Sequence, residues 1–356
     1  MSSPPPSEVV RKLQDKPHCL SVTLDKRRLY TFPDKSQIDP DKLRVDTYQA
    51  VISAELLVGS DRDVSFVRHK VNRILLDSGA DTTILPFDWA LERDYDLREI
   101  KKGNLEYLTA DQDILSSNPS DAKLEDLAEE GRVLRAYRKL CYLTIGNSGE
   151  YKIPVLFCDG KVPAILGREG VFDHFYFGLC ARLTTRKSQW LHTQFGDVTV
   201  WENERLFPDD WRNFHSSVPT IDVSWMMNSK SKTISMAFDS GAEISVYDKQ
   251  KAESSLGIDF SIPPTYERQA ALLTRTMGAG KGRHFQPGEV KGPVKQISTE
   301  IASKKLSLWT LFPSSGPHLA PLLGCASVLD RFFVGFGCGP TIAVPVEDCL
   351  AKSSAL

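Results

Sequence analysis

The amino-acid sequence contains one internal duplication, and this duplication constrains the fold more than any other feature. The segment ILLDSGADTTIL at 74–85 recurs as MAFDSGAEISVY at 236–247. A second landmark follows each copy, AILG at 164–167 and PLLG at 321–324, in the same order and at nearly the same spacing. Two matched landmarks in register indicate a duplicated module, because self-similarity at a fixed offset is typical of repeated structural units.

The segments that precede each copy predict β-strands. Residues 48–57 and 223–227 are alternating or continuous apolar runs, each followed by a polar turn and then by the run that enters the motif. This pattern is typical of a hairpin that feeds the motif strand. We therefore expect an all-β chain with lobe one at about 45–179 and lobe two at about 220–340.

Four further segments are not part of the repeated module. They are an N-terminal extension at 1–44, a charged insertion at about 88–136 in lobe one, a connector at 180–219 and a C-terminal tail at 341–356. The extension is rich in proline and charge, so we expect its first ten residues to be disordered. Within the insertion, the spacing of Leu124 and Leu127 predicts a helix over 121–131 that stops at Gly131.

Composition excludes several other classes of protein. Apolar residues make up 41% of the 356 residues and the formal net charge is -2, so neither disorder nor a general attraction to nucleic acid or anionic membranes is indicated. No apolar run approaches the roughly 18 residues of a membrane span, and the N-terminus has no secretory signal. Seven scattered cysteines without a C-x-x-C pair argue against disulfide and zinc frameworks. These features favour a cytoplasmic location.

Asp77 and Asp239 each stand at the end of an apolar strand and are followed by Ser-Gly-Ala. For one copy alone, the simplest interpretation is a β-turn in which Asp and Ser bond their own backbone. Two copies in a duplicated module favour a second interpretation, in which both carboxylates meet about a pseudo-twofold axis. Two carboxylates about 3 Å apart do not both ionise easily, so such a pair shares one proton.

A pair of this kind can hydrolyse a peptide bond. The ionised carboxylate acts as general base on a water molecule, and the protonated one donates to the substrate carbonyl, where negative charge develops. Gly79 and Gly241 allow the backbone to approach both carboxylates closely, and the hydroxyls of Ser78 and Ser240 can link the two loops beneath them. No metal or organic cofactor is implied, because the nucleophile is water.

The residues DSGAD at 77–81 and AILGR at 164–168 are similar to two sequence signatures of the retropepsin-like aspartic peptidases. The chain thus resembles two members of that family in tandem, more closely in lobe one than in lobe two. The resemblance implies a bilobal acid-protease fold, in which two retropepsin-like β-barrel lobes are related by pseudo-twofold symmetry. It also implies catalysis by Asp77 and Asp239.

The resemblance assigns further roles to residues around the two aspartates. It implies substrate contacts at three of them, Ala80, Asp81 and Ala242. It also implies a structural salt bridge between Asp81 and Arg168 behind the loop. The matching residues of lobe two are Glu243 and Cys325, so we expect lobe two to lack this salt bridge.

The family covers its cleft with a glycine-rich β-hairpin, the flap. In lobe two the flap candidate is the tripeptide Gly278, Ala279 and Gly280, with a plain surface loop as the alternative. A phosphate-binding loop is excluded there, because the segment lacks the first glycine and the Ser or Thr of that motif. Lobe one has no such glycines, and the segment 107–111, which begins at Tyr107, is the nearest candidate by position.

The sequence therefore predicts an aspartic endopeptidase that cleaves polypeptides at one site between the lobes of a monomer. Two alternatives stay open. In the first, the chain is a pseudoprotease that binds peptides without cleaving them, since function resides in sites and not in folds. In the second, lobe one pairs with lobe one of another chain and lobe two is regulatory. None of these interpretations includes a cofactor, a metal, a nucleic acid or a membrane.

Overall fold

The structure is a computed structural model. It describes residues 5–14, 16, 24–30, 44–58, 69–93, 95, 97–108, 117, 119–130, 133–160, 162–181, 198–202, 218–227, 230–261, 266–272, 288–314 and 320–351. In this part of the chain most of the regular structure is β-sheet, which agrees with the expected all-β class.

The strands follow one another in two series. Those of the N-terminal series are β1 (Leu24–Tyr30), β2 (Arg44–Val58), β3 (His69–Leu76), β4 (Thr83–Pro86), β5 (Asn104–Leu108), β6 (Leu134–Thr144), β7 (Tyr151–Cys158), β8 (Ile165–Leu166), β9 (Phe175–Leu179) and β10 (Val198–Glu202). Those of the C-terminal series are β11 (Thr220–Met227), β12 (Lys230–Phe238), β13 (Ser245–Val246), β14 (Tyr266–Leu272), β15 (Gly288–Ile301), β16 (Lys304–Leu311), β17 (Leu322–Leu323), β18 (Phe332–Gly337) and β19 (Ile342–Pro345).

The two lobes have matching sheets. Lobe one has the strand order β1-β2-β3-β8-β4-β7-β6-β5, and lobe two has the order β11-β12-β17-β13-β16-β15-β14. Apart from the edge strand β1, every strand of the first sheet has a counterpart in the second. The extra pairing of β2 with β6 matches that of β11 with β15, and it folds each sheet back on itself. The duplication detected in two short motifs therefore extends through the topology of both lobes.

The alternation of side chains along β2 explains why the run at 48–57 forms a strand. Ala50, Ile52, Ala54 and Leu56 are buried in the main hydrophobic core, whereas Glu55 is exposed. Successive side chains of a strand point to opposite faces of its sheet, so this spacing places one face of β2 on the core. The alternating pattern in the sequence thus predicted the strand for the right physical reason.

A third sheet joins the lobes, with the strand order β10-β9-β18-β19. At its centre β9 of lobe one pairs antiparallel with β18 of lobe two, and Gly178 lies opposite Gly335. These glycines are equivalent residues of the two copies, so the pseudo-twofold axis passes between them. A Cβ atom at Gly178 would lie 2.6 Å from the ring of Phe333, and one at Gly335 would lie 2.5 Å from the hydroxyl of Tyr176.

Short helices surround the sheets. They are α1 (Pro6–Gln14), α2 (Phe87–Leu91), α3 (Leu97–Lys101), α4 (Asp121–Glu129), α5 (Lys249–Leu256) and α6 (Val346–Ala351). Helix α4 confirms the helix expected in the charged insertion: the Ser120 side chain accepts the backbone N–H of Lys123 at its start, and Leu124 and Leu127 are buried. It ends at Glu129, and the expected stop at Gly131 lies outside the described residues. No helix within the described residues is long and apolar enough to cross a membrane.

The N-terminal helix corrects one expectation. We expected the first ten residues to be disordered, and this was wrong for residues 6–10, which belong to α1. Val9, Val10 and Leu13 are buried in a cluster that also contains Tyr176 and Phe333 of the third sheet. Apolar residues three and four apart lie on one helix face, and here that face covers the side of the third sheet that is turned away from the main core.

The third sheet also changes the expected boundaries. Strand β19, in the segment taken as a C-terminal tail, pairs with β18 of lobe two, so that lobe two extends beyond residue 340. Strand β10, in the segment taken as a connector, pairs with β9 of lobe one. Each lobe therefore contributes one inner and one outer strand to this sheet, with β10 beside β9 and β19 beside β18, although the outer strands carry no repeated motif that the sequence analysis detected.

Candidate active site

Each DSGA segment begins where a core strand ends. The backbone N–H of Asp77 donates to the carbonyl of Leu166 at 3.0 Å, and that of Asp239 donates to the carbonyl of Leu323 at 3.0 Å. In both loops the N–H of the alanine three residues further on donates to the aspartate carbonyl, which closes a turn. Both aspartates therefore leave a paired strand at the same point and with the same backbone geometry.

Ser78 and Ser240 join the two loops by reciprocal hydrogen bonds. The Ser78 hydroxyl donates to the carbonyl of Phe238 at 2.7 Å and accepts the backbone N–H of Ser240 at 2.9 Å. The Ser240 hydroxyl donates to the carbonyl of Leu76 at 2.8 Å and accepts the N–H of Ser78 at 3.0 Å. Both side chains are fully buried. This satisfied network holds the loops in a fixed relation across the lobe boundary, as the sequence predicted.

The carboxyl groups of Asp77 and Asp239 meet between the two loops, each against the glycine of the opposite loop. The backbone N–H groups of Gly79 and Ala80 both donate to Oδ1 of Asp77 at 2.9 Å. The N–H of Gly241 donates to Oδ1 of Asp239 at 2.9 Å. The hydrogen bonds from each aspartate to its own loop, which the β-turn interpretation predicted, are thus present. They also orient the two carboxyl groups towards each other.

The glycines of the two loops are required by this close approach. A Cβ atom at Gly79 would lie 2.6 Å from Oδ2 of Asp239, and one at Gly241 would lie 2.6 Å from Cγ of Asp77. Contacts this short are repulsive, so any larger residue at either position would displace the partner carboxyl group. Each glycine therefore makes room for the aspartate of the other lobe, as expected from the sequence.

Burial controls the ionisation of the pair. Asp77 is only 6% exposed, and burial raises its pKa well above the ordinary value, with a further increase from the nearby charge of Asp239. Burial also raises the pKa of Asp239, which is partly exposed. Because the two groups interact strongly, the titration steps belong to the pair. The environment favours a pair that retains one proton between its two carboxyl groups.

Lobe one supports its loop with an ion pair. The guanidinium of Arg168 donates to a carboxylate oxygen of Asp81 and, through Nε, to the carbonyl of Ala80 at 3.3 Å. Arg168 is 6% exposed, so this pair is shielded from water. The structure thus contains the contact between Asp81 and Arg168 that the family resemblance implied, directly behind the Asp77 loop.

Lobe two supports the equivalent loop without an arginine. Cys325 takes the place of Arg168, and its thiol lies 3.5 Å from the carbonyl of Ser240. The carbonyl of Glu243 accepts the hydroxyl of Thr47 at 2.6 Å, a bond that comes from β2 of lobe one. The buried thiol has a raised pKa, because burial disfavours its thiolate and the nearby carboxylates add to the effect. Thr47 is a residue that sequence reasoning missed, since nothing near it in the sequence marks its contact.

The second landmark packs behind each loop. The N–H of Gly167 donates to the Thr83 hydroxyl at 3.3 Å, and the N–H of Gly324 donates to the Ser245 hydroxyl at 3.2 Å. A Cβ atom at Gly167 would lie 2.5 Å from the backbone at position 82, and one at Gly324 would lie 2.4 Å from the backbone at position 244. These glycines allow two backbone segments to cross at van der Waals distance behind the aspartates.

Each lobe carries one hairpin in the position where the flap was expected. In lobe one β5 and β6 pair, and in lobe two the equivalent strands β14 and β15 pair. The flap candidate Gly278, Ala279 and Gly280 falls between β14 and β15 and lies outside the described residues. In lobe one Tyr107 is buried against Leu124, Leu127 and Val133, so its ring packs beneath α4. The remainder of that candidate segment, residues 109–111, lies outside the described residues.

Ala80 and Ala242, to which the resemblance gave substrate contacts, lie in the two loops directly beside the aspartates, and Ala80 is almost fully buried. Within the described residues, no group of three or more His, Cys, Asp or Glu side chains is arranged to hold a metal ion.

No protein-family model matches the chain, and no curated protein matches it significantly. The link to the retropepsin-like peptidases therefore rests on the motifs and on their resemblance alone.

Proposed function

We propose that the protein is an aspartic endopeptidase that hydrolyses peptide bonds with water activated by Asp77 and Asp239. One observation carries the proposal: the two copies of one motif meet at the lobe boundary, and the carboxyl group of each aspartate lies against the glycine of the opposite loop, with Asp77 almost fully buried. Placing two carboxyl groups side by side where one of them is buried is costly for stability. A pair of carboxyl groups that is unfavourable for stability and is formed by two copies of one short motif is typical of a catalytic site.

In the proposed mechanism the pair holds one proton and one negative charge. The ionised carboxylate takes a proton from the attacking water, and the protonated carboxyl donates to the peptide carbonyl as its oxygen becomes negative. When the tetrahedral intermediate breaks down, a proton passes to the leaving amine and the pair returns to its starting state. The serine hydrogen bonds keep both carboxyl groups in place throughout, so little reorganisation is needed.

The fold that we propose for this function is the bilobal acid-protease fold, with two retropepsin-like β-barrel lobes. The matching strand orders, the interlobe sheet and the position of the two loops support this assignment. The six cysteines within the described residues are all buried free thiols, which supports a reducing, cytoplasmic compartment. We also propose a polypeptide substrate and a monomeric protein, and a site that one chain completes by itself supports the monomer.

The two alternatives differ in what supports them. Pairing of lobe one with another chain is disfavoured, because Ser78 already bonds to Ser240 and Asp77 already lies against Gly241, both in lobe two of the same chain. A pseudoprotease that binds peptides is favoured only by the altered support of lobe two, at Glu243 and Cys325. The loop of lobe two nevertheless keeps the same turn, the same serine bonds and the same glycine as lobe one, which supports retained catalysis.

The proposal is tested by incubating a denatured-peptide library with the purified chain and identifying new termini by mass spectrometry. Wild type is expected to generate new termini, and the double variant Asp77→Asn/Asp239→Asn, purified in the same way, is the matched control for contaminating peptidases. If wild type and the double variant give the same termini, the protein is not a peptidase under these conditions. If wild type binds library peptides without cleaving them, the pseudoprotease is the correct account.

A further inference from the structure

Lobe one contains a polar chain that the proposed chemistry does not use. We call it the Arg138 bridge, and it consists of Glu106, Arg138, Glu169 and Thr82. Nε of Arg138 donates to Glu106 at 2.5 Å, and its Nη1 donates to both carboxylate oxygens of Glu169 at 3.0 Å. Glu169 in turn accepts the hydroxyl of Thr82 at 2.7 Å. Since Arg138 is only 24% exposed, these carboxylates replace part of the water around its guanidinium.

The Arg138 bridge connects two parts of lobe one that are far apart in sequence. Glu106 lies on β5 and Arg138 on β6, so both belong to the hairpin in the flap position. Thr82 lies just after the Asp77 loop, and Glu169 directly follows Arg168, the partner of Asp81. The bridge therefore fastens the base of the hairpin to the loop that carries one of the two aspartates.

The other end of the same hairpin is also braced. Glu125 of α4 accepts Nε and Nη2 of Arg135 at 2.8 and 2.6 Å, and it also accepts the hydroxyl of Tyr107. Tyr107 is on β5 and Arg135 is on β6. Together with the Arg138 bridge, these contacts tie α4, the hairpin and the Asp77 loop into one connected unit.

Lobe two has no equivalent of the bridge at the matching positions. The strand register identifies the equivalent residues. In lobe one Val155 pairs with both Thr83 and Lys139. In lobe two Thr310 pairs with both Ser245 and Lys295, so Lys295 is equivalent to Lys139. By this register the three bridge residues nearest the loop have apolar counterparts, which are Val294 for Arg138, Ala326 for Glu169 and Ile244 for Thr82. The bridge is thus specific to lobe one and is no general requirement of the fold.

We propose that Arg138 is a positioning residue that makes the β5–β6 hairpin and the Asp77 loop move as one body. This inference rests on the proposed function, because it assigns to lobe one the task of coupling peptide contacts on the hairpin to the position of Asp77. A bound peptide that presses on the hairpin is then held in a constant relation to one carboxyl group. The hairpin of lobe two has no such ionic connection to the Asp239 loop at the matching positions.

The kinetic test compares Arg138→Met and Glu169→Gln in the full chain with the exposed Arg331→Met of lobe two as control. Both bridge variants are expected to lower kcat about tenfold and to change KM less than about twofold, because the connection acts on positioning more than on binding. The double variant is expected to be no slower than the slower single variant, since both remove the same bridge. Equal losses in Arg331→Met, or fully additive losses in the double variant, would overturn the proposal.

A second measurement does not require cleavage. Hydrogen exchange of the full chain is expected to show faster exchange in Arg138→Met at both 104–108 and 77–85, with 239–246 unchanged. Faster exchange in the hairpin alone would overturn the coupling, whatever the activity of the protein. If wild type cleaves no peptide but the exchange changes together, the proposed function fails and the coupling stands. Glu169→Gln, at a residue whose side chain is 44% exposed, provides the same comparison if Arg138→Met does not fold.

Discussion

The two lobes of this protein have the same strand order but support their aspartates by different means. In lobe one the loop behind Asp77 is held by charged groups of the same lobe, Arg168 and the Arg138 bridge. In lobe two the matching positions are a cysteine and apolar side chains, and the carbonyl of Glu243 accepts a hydrogen bond from Thr47 of lobe one. Among the described residues, the Asp77 loop is therefore supported by charged groups of its own lobe, and the Asp239 loop is supported partly by Thr47 of lobe one.

This difference separates what the paired loops require from what they tolerate. The features kept in both lobes are the strand end, the serine that crosses to the other loop, and the glycine that faces the other carboxyl group. All of these contacts cross the pseudo-twofold axis, so a change in either copy would affect both aspartates. The supporting contacts behind the loops differ between the lobes, with Arg168 in one and Cys325 in the other.

The largest effect is expected where the two lobes are most alike. Gly79→Ala and Gly241→Ala each place a methyl group about 2.6 Å from the partner carboxyl group, so each should lower cleavage at least about a hundredfold and stability by about 2 kcal/mol. Gly257→Ala is the control, because its Cβ meets nothing within 4 Å but its φ of +64 is unfavourable. The control should lose about 1 kcal/mol and keep its activity. Equal activity losses in all three variants would point to general destabilisation.

The second effect measures the difference in support between the lobes. Arg168→Ala leaves the largely buried Asp81 without its partner and should lower the free energy of unfolding by about 3 kcal/mol. The equivalent change in lobe two, Cys325→Ala, removes only a small apolar group and should cost about 1 kcal/mol. Denaturant unfolding of both variants decides the comparison. Equal losses would show that lobe one does not depend on its ion pair.

A smaller effect tests the dependence of lobe two on lobe one. Thr47→Val keeps the shape of a fully buried side chain but removes the donor to the Glu243 carbonyl, so it should cost about 1 to 2 kcal/mol. Thr233→Val, which removes an exposed hydroxyl bonded to Ser224, should change stability by less than about 0.5 kcal/mol. Unfolding of the two variants under identical conditions gives the comparison. If Thr47→Val loses no more stability than Thr233→Val, the hydrogen bond from Thr47 does not stabilise lobe two.

The sequence predicted the parts of this arrangement that are local or repeated. Alternation in β2, the apolar spacing in α4 and the duplicated DSGA loops each encode their own structure, and the salt bridge between Asp81 and Arg168 followed from the family resemblance. Thr47 and Arg138 were missed, because their partners lie 196 and 31 residues away along the chain. Such contacts depend on the register of strands, which a single sequence does not reveal. Helix α1 was missed because three apolar residues among prolines and charges gave too weak a pattern.

The smallest effect is a pH-dependent gain in stability. Burial raises the pKa of Asp77 above its value in the unfolded chain, so folding favours the protonated form and wild type loses stability as pH rises through the raised pKa. Asp77→Asn cannot ionise at this position and should therefore unfold at a higher temperature than wild type at pH 8. The difference in unfolding temperature should shrink towards pH 4, where position 77 is uncharged in both proteins. A difference in Tm that is the same at both pH values would contradict this explanation.

The central claim is that one aspartate from each lobe forms a single catalytic pair, and the cleavage rate of Asp239→Asn tests it most directly. The two carboxyl groups work as a unit, so losing Asp239 should be as damaging as losing Asp77. We predict that each single variant cleaves a peptide identified from the library at less than about a hundredth of the wild-type rate while retaining a cooperative unfolding transition. Cleavage by Asp239→Asn near the wild-type rate would contradict the claim and assign the chemistry to lobe one alone.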